Sequence, residues 1–104
     1  MIKHCVMWKL KPEAVATPEI FEANLAKQTE RFRQMERDVP EIDKLEIYRN
    51  IKSGKDFYEF MVVMDFKDRD ALEAFQHSDT HTDPAARAFG QSIRERKAVV
   101  DFEL

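Results

Sequence analysis

A chain of 104 residues with 43% hydrophobic and 36% charged side chains is large enough for one buried core, too short for two, and not composed like a disordered chain. Its formal charge of −3, with acids and bases interleaved as in Glu30-Arg31 and Arg94-Glu95-Arg96, argues for solvated helix faces and against the concentrated basic surface that nucleic acid requires. The single cysteine excludes an intramolecular disulfide, and the absence of a signal-like or membrane-length apolar run leads us to expect a cytoplasmic protein with no membrane partner.

Residues 2–10 alternate as a strand, with Ile2, His4, Val6, Trp8 and Leu10 on one face and Lys3, Cys5, Met7 and Lys9 on the other. Thr17-Pro18-Glu19 has the N-cap, first position and acidic first turn of a helix. Phe21, Leu25, Gln28, Phe32, Met35 and Val39 extend that helix over residues 18–38, and Pro40 stops it. Leu45–Ile51 reads as the second strand, Lys52–Asp56 as a turn, and residues 57–66 as the third strand. Asp68 caps a short helix carrying Ala71, Leu72 and Phe75. His77–Thr82 is polar and irregular. Asp83-Pro84 opens a further helix with Phe89 and Ile93 on its apolar side, and residues 97–104 form the last strand.

The order is β-α-β-β-α-β with an interrupted second helix, an α+β ferredoxin-like plan for a single domain over residues 1–104. Helices cover only one face of a four-stranded antiparallel sheet. Cys5, Met7, Met61, Val63, Val100 and Phe102 fall on the other, and a second copy of the same sheet is the simplest cover, so a homodimer is expected.

Three groups are candidates for chemistry. His4 lies on the most apolar face of the first strand, either as a satisfied core histidine or as a pocket-lining proton shuttle. His77 and His81 stand four residues apart, a spacing that suits a metal on a helix with Asp79 or Asp83 adding oxygen. The intervening Ser78-Asp79-Thr80 favours a loop, so no metal is expected. Asp101, within Val-Val-Asp-Phe, must be paired or lie on an exposed edge, and a histidine is a suitable partner because the carboxylate then sets its tautomer. Cys5, in an apolar strand, is expected to act as a small hydrophobe.

The stretches Met1–Lys11, Val39–Glu46, Phe57–Phe66, Asp70–His77 and Val99–Glu103 resemble, in order and over almost the whole chain, the stress-responsive dimeric α/β-barrel (Dabb) family. That family includes plant stress proteins and the plant polyketide cyclase that makes olivetolic acid. The resemblance implies two sheets joined in a dimeric barrel. It matches His81 and Asp101 to the cyclase's catalytic pair and His4 to a pocket histidine. It implies a cavity lined by Val6, Trp8, Phe32, Phe60, Val62 and Val99, with Phe75 and His77 as further substrate-binding candidates. Phe75 stands where the cyclase has an assisting tyrosine, Phe32 replaces a second tyrosine, and Phe60 a second histidine. The spacing around His77 and His81 departs from the family's, so either histidine is a candidate for the catalytic position. The resemblance also suggests a cation held by the carbonyls of Glu36, Val39 and Ile42.

The expectation is a homodimeric barrel that binds a small hydrophobic molecule without a cofactor, in a stress-related role. The alternative is a cofactor-free lyase, cyclase or isomerase in which His81 is the base, Asp101 orients it, and His4 contacts an aromatic or polyketide carbonyl compound. In that alternative Asp101 would raise the pKa of His81. A cofactor-free oxygenase using Trp8 is a third reading.

Overall fold

The computed structural model describes residues 1–104, apart from the side chains of Asp79 and Thr80. The elements are β1 (Ile2–Leu10), a 3₁₀ turn (Pro12–Val15), α1 (Pro18–Asp38), β2 (Ile42–Arg49), β3 (Phe60–Phe66), α2 (Arg69–Gln76), the single turn α3 (Asp79–Thr82), α4 (Pro84–Ile93) and β4 (Arg94–Glu103). The sheet order is β2-β3-β1-β4, antiparallel throughout, which is the ferredoxin-like α+β fold.

Strand register sorts the side chains into two faces. His4 lies between Met64 and Asp101, Val6 between Val62 and Val99, and Trp8 between Phe60 and Lys97, all towards the helices. The alternate rows carry Lys3 between Asp65 and Phe102, Cys5 between Val63 and Val100, and Met7 between Met61 and Ala98 on the opposite face. The helices α1, α2 and α4 each start where a side chain caps them: Thr17 accepts from Ile20 N at 3.1 Å, Asp68 from Ala71 N at 2.9 Å and Asp83 from Ala85 N at 3.1 Å. Val39 closes α1 by donating its amide to the Met35 carbonyl, just before Pro40.

The core sits between α1, α2, α4 and the inner sheet face. Trp8 stacks on Phe60 with centroids 5.3 Å apart and meets Phe32 edge-on at 5.5 Å, while Phe66 packs on Phe75 at 5.3 Å. Each such fully buried ring contributes about 1.5–3 kcal/mol through removal of apolar surface from water.

Element boundaries move at three places. The second strand is Ile42–Arg49 instead of Leu45–Ile51, because Ile42 is buried opposite Phe66 whereas Ile51 is 97% exposed. Phe57 and Tyr58 belong to the preceding loop, where their carbonyls are taken by Lys9 and Asn50, so β3 begins at Phe60. The last strand follows α4 directly and starts at Arg94, which puts Arg94-Glu95-Arg96 on a strand and not on a helix face. The polar stretch before α4 contains one helical turn, Asp79–Thr82.

No helix among the described residues is long and apolar enough to cross a membrane. The outer sheet face exposes Val100 (55%) and Phe102 (42%), flanked by the ion pairs Lys3–Asp65 and Lys9–Glu59. Cys5 lies on this face with its thiol pKa pushed up by burial, which keeps it a protonated, weakly nucleophilic thiol.

Candidate functional site

A cavity of about 570 Å³ lies between the inner face of the sheet and α1, α3 and α4. Val6, Trp8, Val62, Met64 and Val99 supply its floor, and Phe32, Met35 and Phe75 supply apolar walls. Phe32 reaches it because α1 buries the stripe Leu25, Gln28, Phe32. Gly90 allows α4 to approach the floor closely: a Cβ there would stand 2.8 Å from Trp8 Cη2 and 3.0 Å from Gln28 Oε1.

His4 is 93% buried at one end of this floor, where Asp101 of β4 is its register partner on β1. Its Nδ1 forms a hydrogen bond with Asp101 Oδ1. A carboxylate only accepts, so Nδ1 carries a proton, and in the neutral ring Nε2 keeps its lone pair. Phe66 and Phe75 hold the imidazole edge-on, with centroids at 6.4 and 6.1 Å. The carboxylate that stands on an exposed edge strand is thus also paired, which lowers the cost of its position.

The expected His81–Asp101 pair is not the one formed: the histidine bonded to Asp101 is His4. His81 instead packs on Phe75, centroids 4.5 Å apart, at the cavity wall. Burial, then repulsion by Arg87, Lys97 and His4, lowers its pKa to about 4, the direction opposite to that expected from pairing with a carboxylate. His77 caps α2 in an exposed position, donates Nδ1–H to the Glu73 carbonyl at 2.9 Å, and is not part of the cavity lining. Phe60 is also absent from that lining, being buried against the ring of Trp8. The remaining expected wall residues, Val6, Trp8, Phe32, Val62, Phe75 and Val99, do line the cavity.

The low pKa of His81 has a consequence for stability. The unfolded chain binds the proton near the ordinary value of 6.5 and the folded chain only near 4, so stability is fully present above about pH 6.5 and lost as pH falls towards 4. With His81 only half-buried, we expect solvent screening to limit this loss to roughly 1–3 kcal/mol. Denaturant unfolding of the native chain and His81→Leu at several pH values checks it: the difference between them should grow on acidification. A constant difference would refute the assignment.

Gln28, Met64, Arg31, Arg87, Arg94 and Lys97 also line the cavity and were not identified from the sequence. Gln28 had a signal, since it interrupts the apolar stripe of α1 and is 95% buried. Among the described residues its Oε1 has no hydrogen-bond partner. Replacing Gln28 by Leu is expected to raise the stability of the unliganded protein by about 1 kcal/mol, because an unsatisfied buried acceptor is removed. Thermal unfolding checks this, and a destabilised variant would show that Gln28 is satisfied. The Lys97 position had a weaker signal in sharing strand parity with Val99 and Asp101.

Among the described residues, no three His, Cys, Asp or Glu side chains converge as metal ligands, and Asp79, considered as an oxygen donor, lies outside the described side chains. At the end of α1 the Val39 carbonyl accepts from the Ile42 amide at 3.2 Å.

A four-stranded antiparallel sheet with helices on one face and an apolar outer face defines the ferredoxin-like α+β class. The chain belongs to the Stress responsive A/B Barrel Domain (Dabb) family, whose sequence profile matches residues 2–104. Its fold is similar to that of a dimeric protein of unknown function from Bacteroides fragilis (TM-score 0.80, 21% identity, 99% of this chain and 95% of that one). A Dabb family protein from Mesorhizobium loti is also similar (TM-score 0.73, 21% identity, 99% and 95% covered). So is a candidate antibiotic biosynthesis monooxygenase from Nitrosomonas europaea (TM-score 0.72, 15% identity, 100% and 98% covered). None of the curated proteins matches the chain in sequence.

Proposed function

We propose that the chain forms a cytoplasmic homodimeric barrel whose protomers each bind a small, largely apolar molecule between sheet and helices. The observation that carries this reading is the cavity of about 570 Å³ with Trp8, Phe32, Val62 and Val99 on its surface, a size within the usual range for small-molecule sites. Aromatic walls give such a ligand contact area, and Gly90 lets α4 lie directly against the Trp8 ring, where a larger residue would displace that ring. The dimer is supported by the exposed apolar outer face and by the dimeric state of similar folds such as the Bacteroides fragilis protein.

Trp8 is the only tryptophan, so its fluorescence reports the cavity directly. Titration with small naphthyl compounds should quench or shift that emission in the native protein. Gly90→Leu should abolish the change. Unaltered emission throughout the titration would sink the binding reading.

The His4–Asp101 pair favours a second reading, cofactor-free proton abstraction next to a carbonyl. Asp101 holds Nδ1–H, which leaves Nε2 of His4 as the base, and the apolar walls would position an aromatic or polyketide carbonyl compound beside it. His81, kept neutral by its low pKa, would serve as a polar contact. Hydrogen–deuterium exchange at the α-carbon of a bound aryl ketone tests this. Asp101→Asn should slow the exchange about 10²–10⁴-fold, the usual contribution of a positioned base. Exchange at the same rate in native protein and variant would remove the reading.

A further inference from the structure

The cavity has a chemical polarity that its apolar floor does not explain. Arg87 of α4, Arg94 at the start of β4 and Lys97 on β4 all line it. On the outer face of the same sheet the cations are matched with acids, Lys3 with Asp65 and Lys9 with Glu59. Among the described residues no carboxylate lies within ion-pair distance of Arg87, Arg94 or Lys97. Asp38 and Asp83 line the cavity as well, and neither forms an ion pair with these three cations; each carboxylate, like that of Asp101 nearby, takes another hydrogen bond. Asp101 is bonded to His4, Asp83 caps α4 through the Ala85 amide, and Asp38 accepts from Gln34 at the end of α1.

The three cations are close enough to repel one another. Burial first, and then Arg87, lowers the proton affinity of Arg94; burial, Arg94 and Arg87 do the same to Lys97. Arg94 in turn lies over the Trp8 ring at 4.8 Å, which places a guanidinium at the junction of the charged side and the aromatic floor. A cluster of like charges beside an apolar cavity is stabilised when an anion joins it. A planar guanidinium suits a carboxylate, which it can bind through two parallel hydrogen bonds.

We propose that the ligand is an amphiphilic carboxylate, its alkyl or aryl body on Trp8, Phe32 and Val99 and its acid group received by Arg87, Arg94 and Lys97. This rests on the reading of the cavity as a binding site and adds the charge class of what it binds.

Matched acid and amide pairs test the two readings separately. The amide keeps the shape and hydrogen-bonding outline of the acid and loses only the charge. Naphthylacetate with naphthylacetamide, and decanoate with decanamide, would be titrated against the native protein by Trp8 fluorescence and calorimetry. Each acid should bind at least about tenfold more tightly than its amide, as expected for charge-assisted hydrogen bonds, and the advantage should shrink with added salt. Arg87→Gln with Lys97→Gln should lower the ratio of acid to amide affinity by at least about threefold, the rest of the advantage staying with Arg94. The single variants provide the same comparison where the double variant is poorly folded by circular dichroism. Equal binding of acid and amide would overturn the carboxylate inference and leave the cavity reading intact. An acid preference that is undiminished in Arg87→Gln and Lys97→Gln would place the anion elsewhere and overturn it as well. Binding of no member of either pair would overturn both.

Discussion

A Val100→Glu variant is expected to stay folded and to behave as a monomer at concentrations where the native chain is a dimer. In the protomer Val100 is 55% exposed on the outer face of β4, so the substitution removes little from the core. In the proposed dimer the same position lies in the apolar row Val63–Cys5–Val100, buried against a second sheet. An unpaired carboxylate there costs several kcal/mol, and two-fold symmetry imposes that cost on both protomers. The dissociation constant should therefore rise by at least about 10²-fold, corresponding to roughly 3 kcal/mol. Light scattering coupled to size exclusion measures the outcome, with circular dichroism as the folding control. A native chain that is monomeric, or a Val100→Glu chain that remains dimeric, would show that this face is not the interface.

Phe75→Ala should lose about 3–5 kcal/mol of stability, the usual range for removing a core phenylalanine ring. Phe75 is fully buried and touches three of the site's aromatic groups: Phe66, His4 and His81. Its effect should extend beyond packing. The ring keeps water from His81, and burial is the largest cause of that group's low pKa of about 4. With the ring gone, His81 should titrate closer to its ordinary value of 6.5, visible as a shift of its imidazole resonances in an NMR pH series. A loss below about 1 kcal/mol would mean that the site collapses to refill the space. An unmoved His81 titration would mean that Phe75 does not shield it.

The two predictions draw on the two faces of one sheet, and those faces differ in how far the sequence exposed them. Strict alternation in β1 assigned Ile2, Val6, Trp8 and Leu10 to one side and Cys5 and Met7 to the other, because successive strand side chains point in opposite directions. The capping residues Thr17, Asp68 and Asp83 marked helix starts through interactions within four residues. Such local signals carried the fold class, while the expected cavity wall came from the resemblance to the Dabb family.

The pairing of the site's charged groups was not local. His4 and Asp101 are 97 positions apart, and their contact depends on the register of β1 against β4, which adjacent residues do not encode. His81 had the more conspicuous motif. Its ring nevertheless turns onto Phe75, and the short α3 holds it at the cavity wall away from the Asp101 bond. Likewise Arg94 reads as part of a solvated helix face, and nothing in the sequence singles out Arg87 or Lys97, until the close approach of α4 to the sheet, permitted by Gly90, gathers the three beside one cavity.

By itself, then, the sequence determined the elements, the two faces of the sheet and the apolar stripe of α1, since periodicity and capping act over a few residues. Only the tertiary structure decided which histidine Asp101 would hold and which cations would be left without acids, because strand register and helix approach bring together groups from opposite ends of the chain.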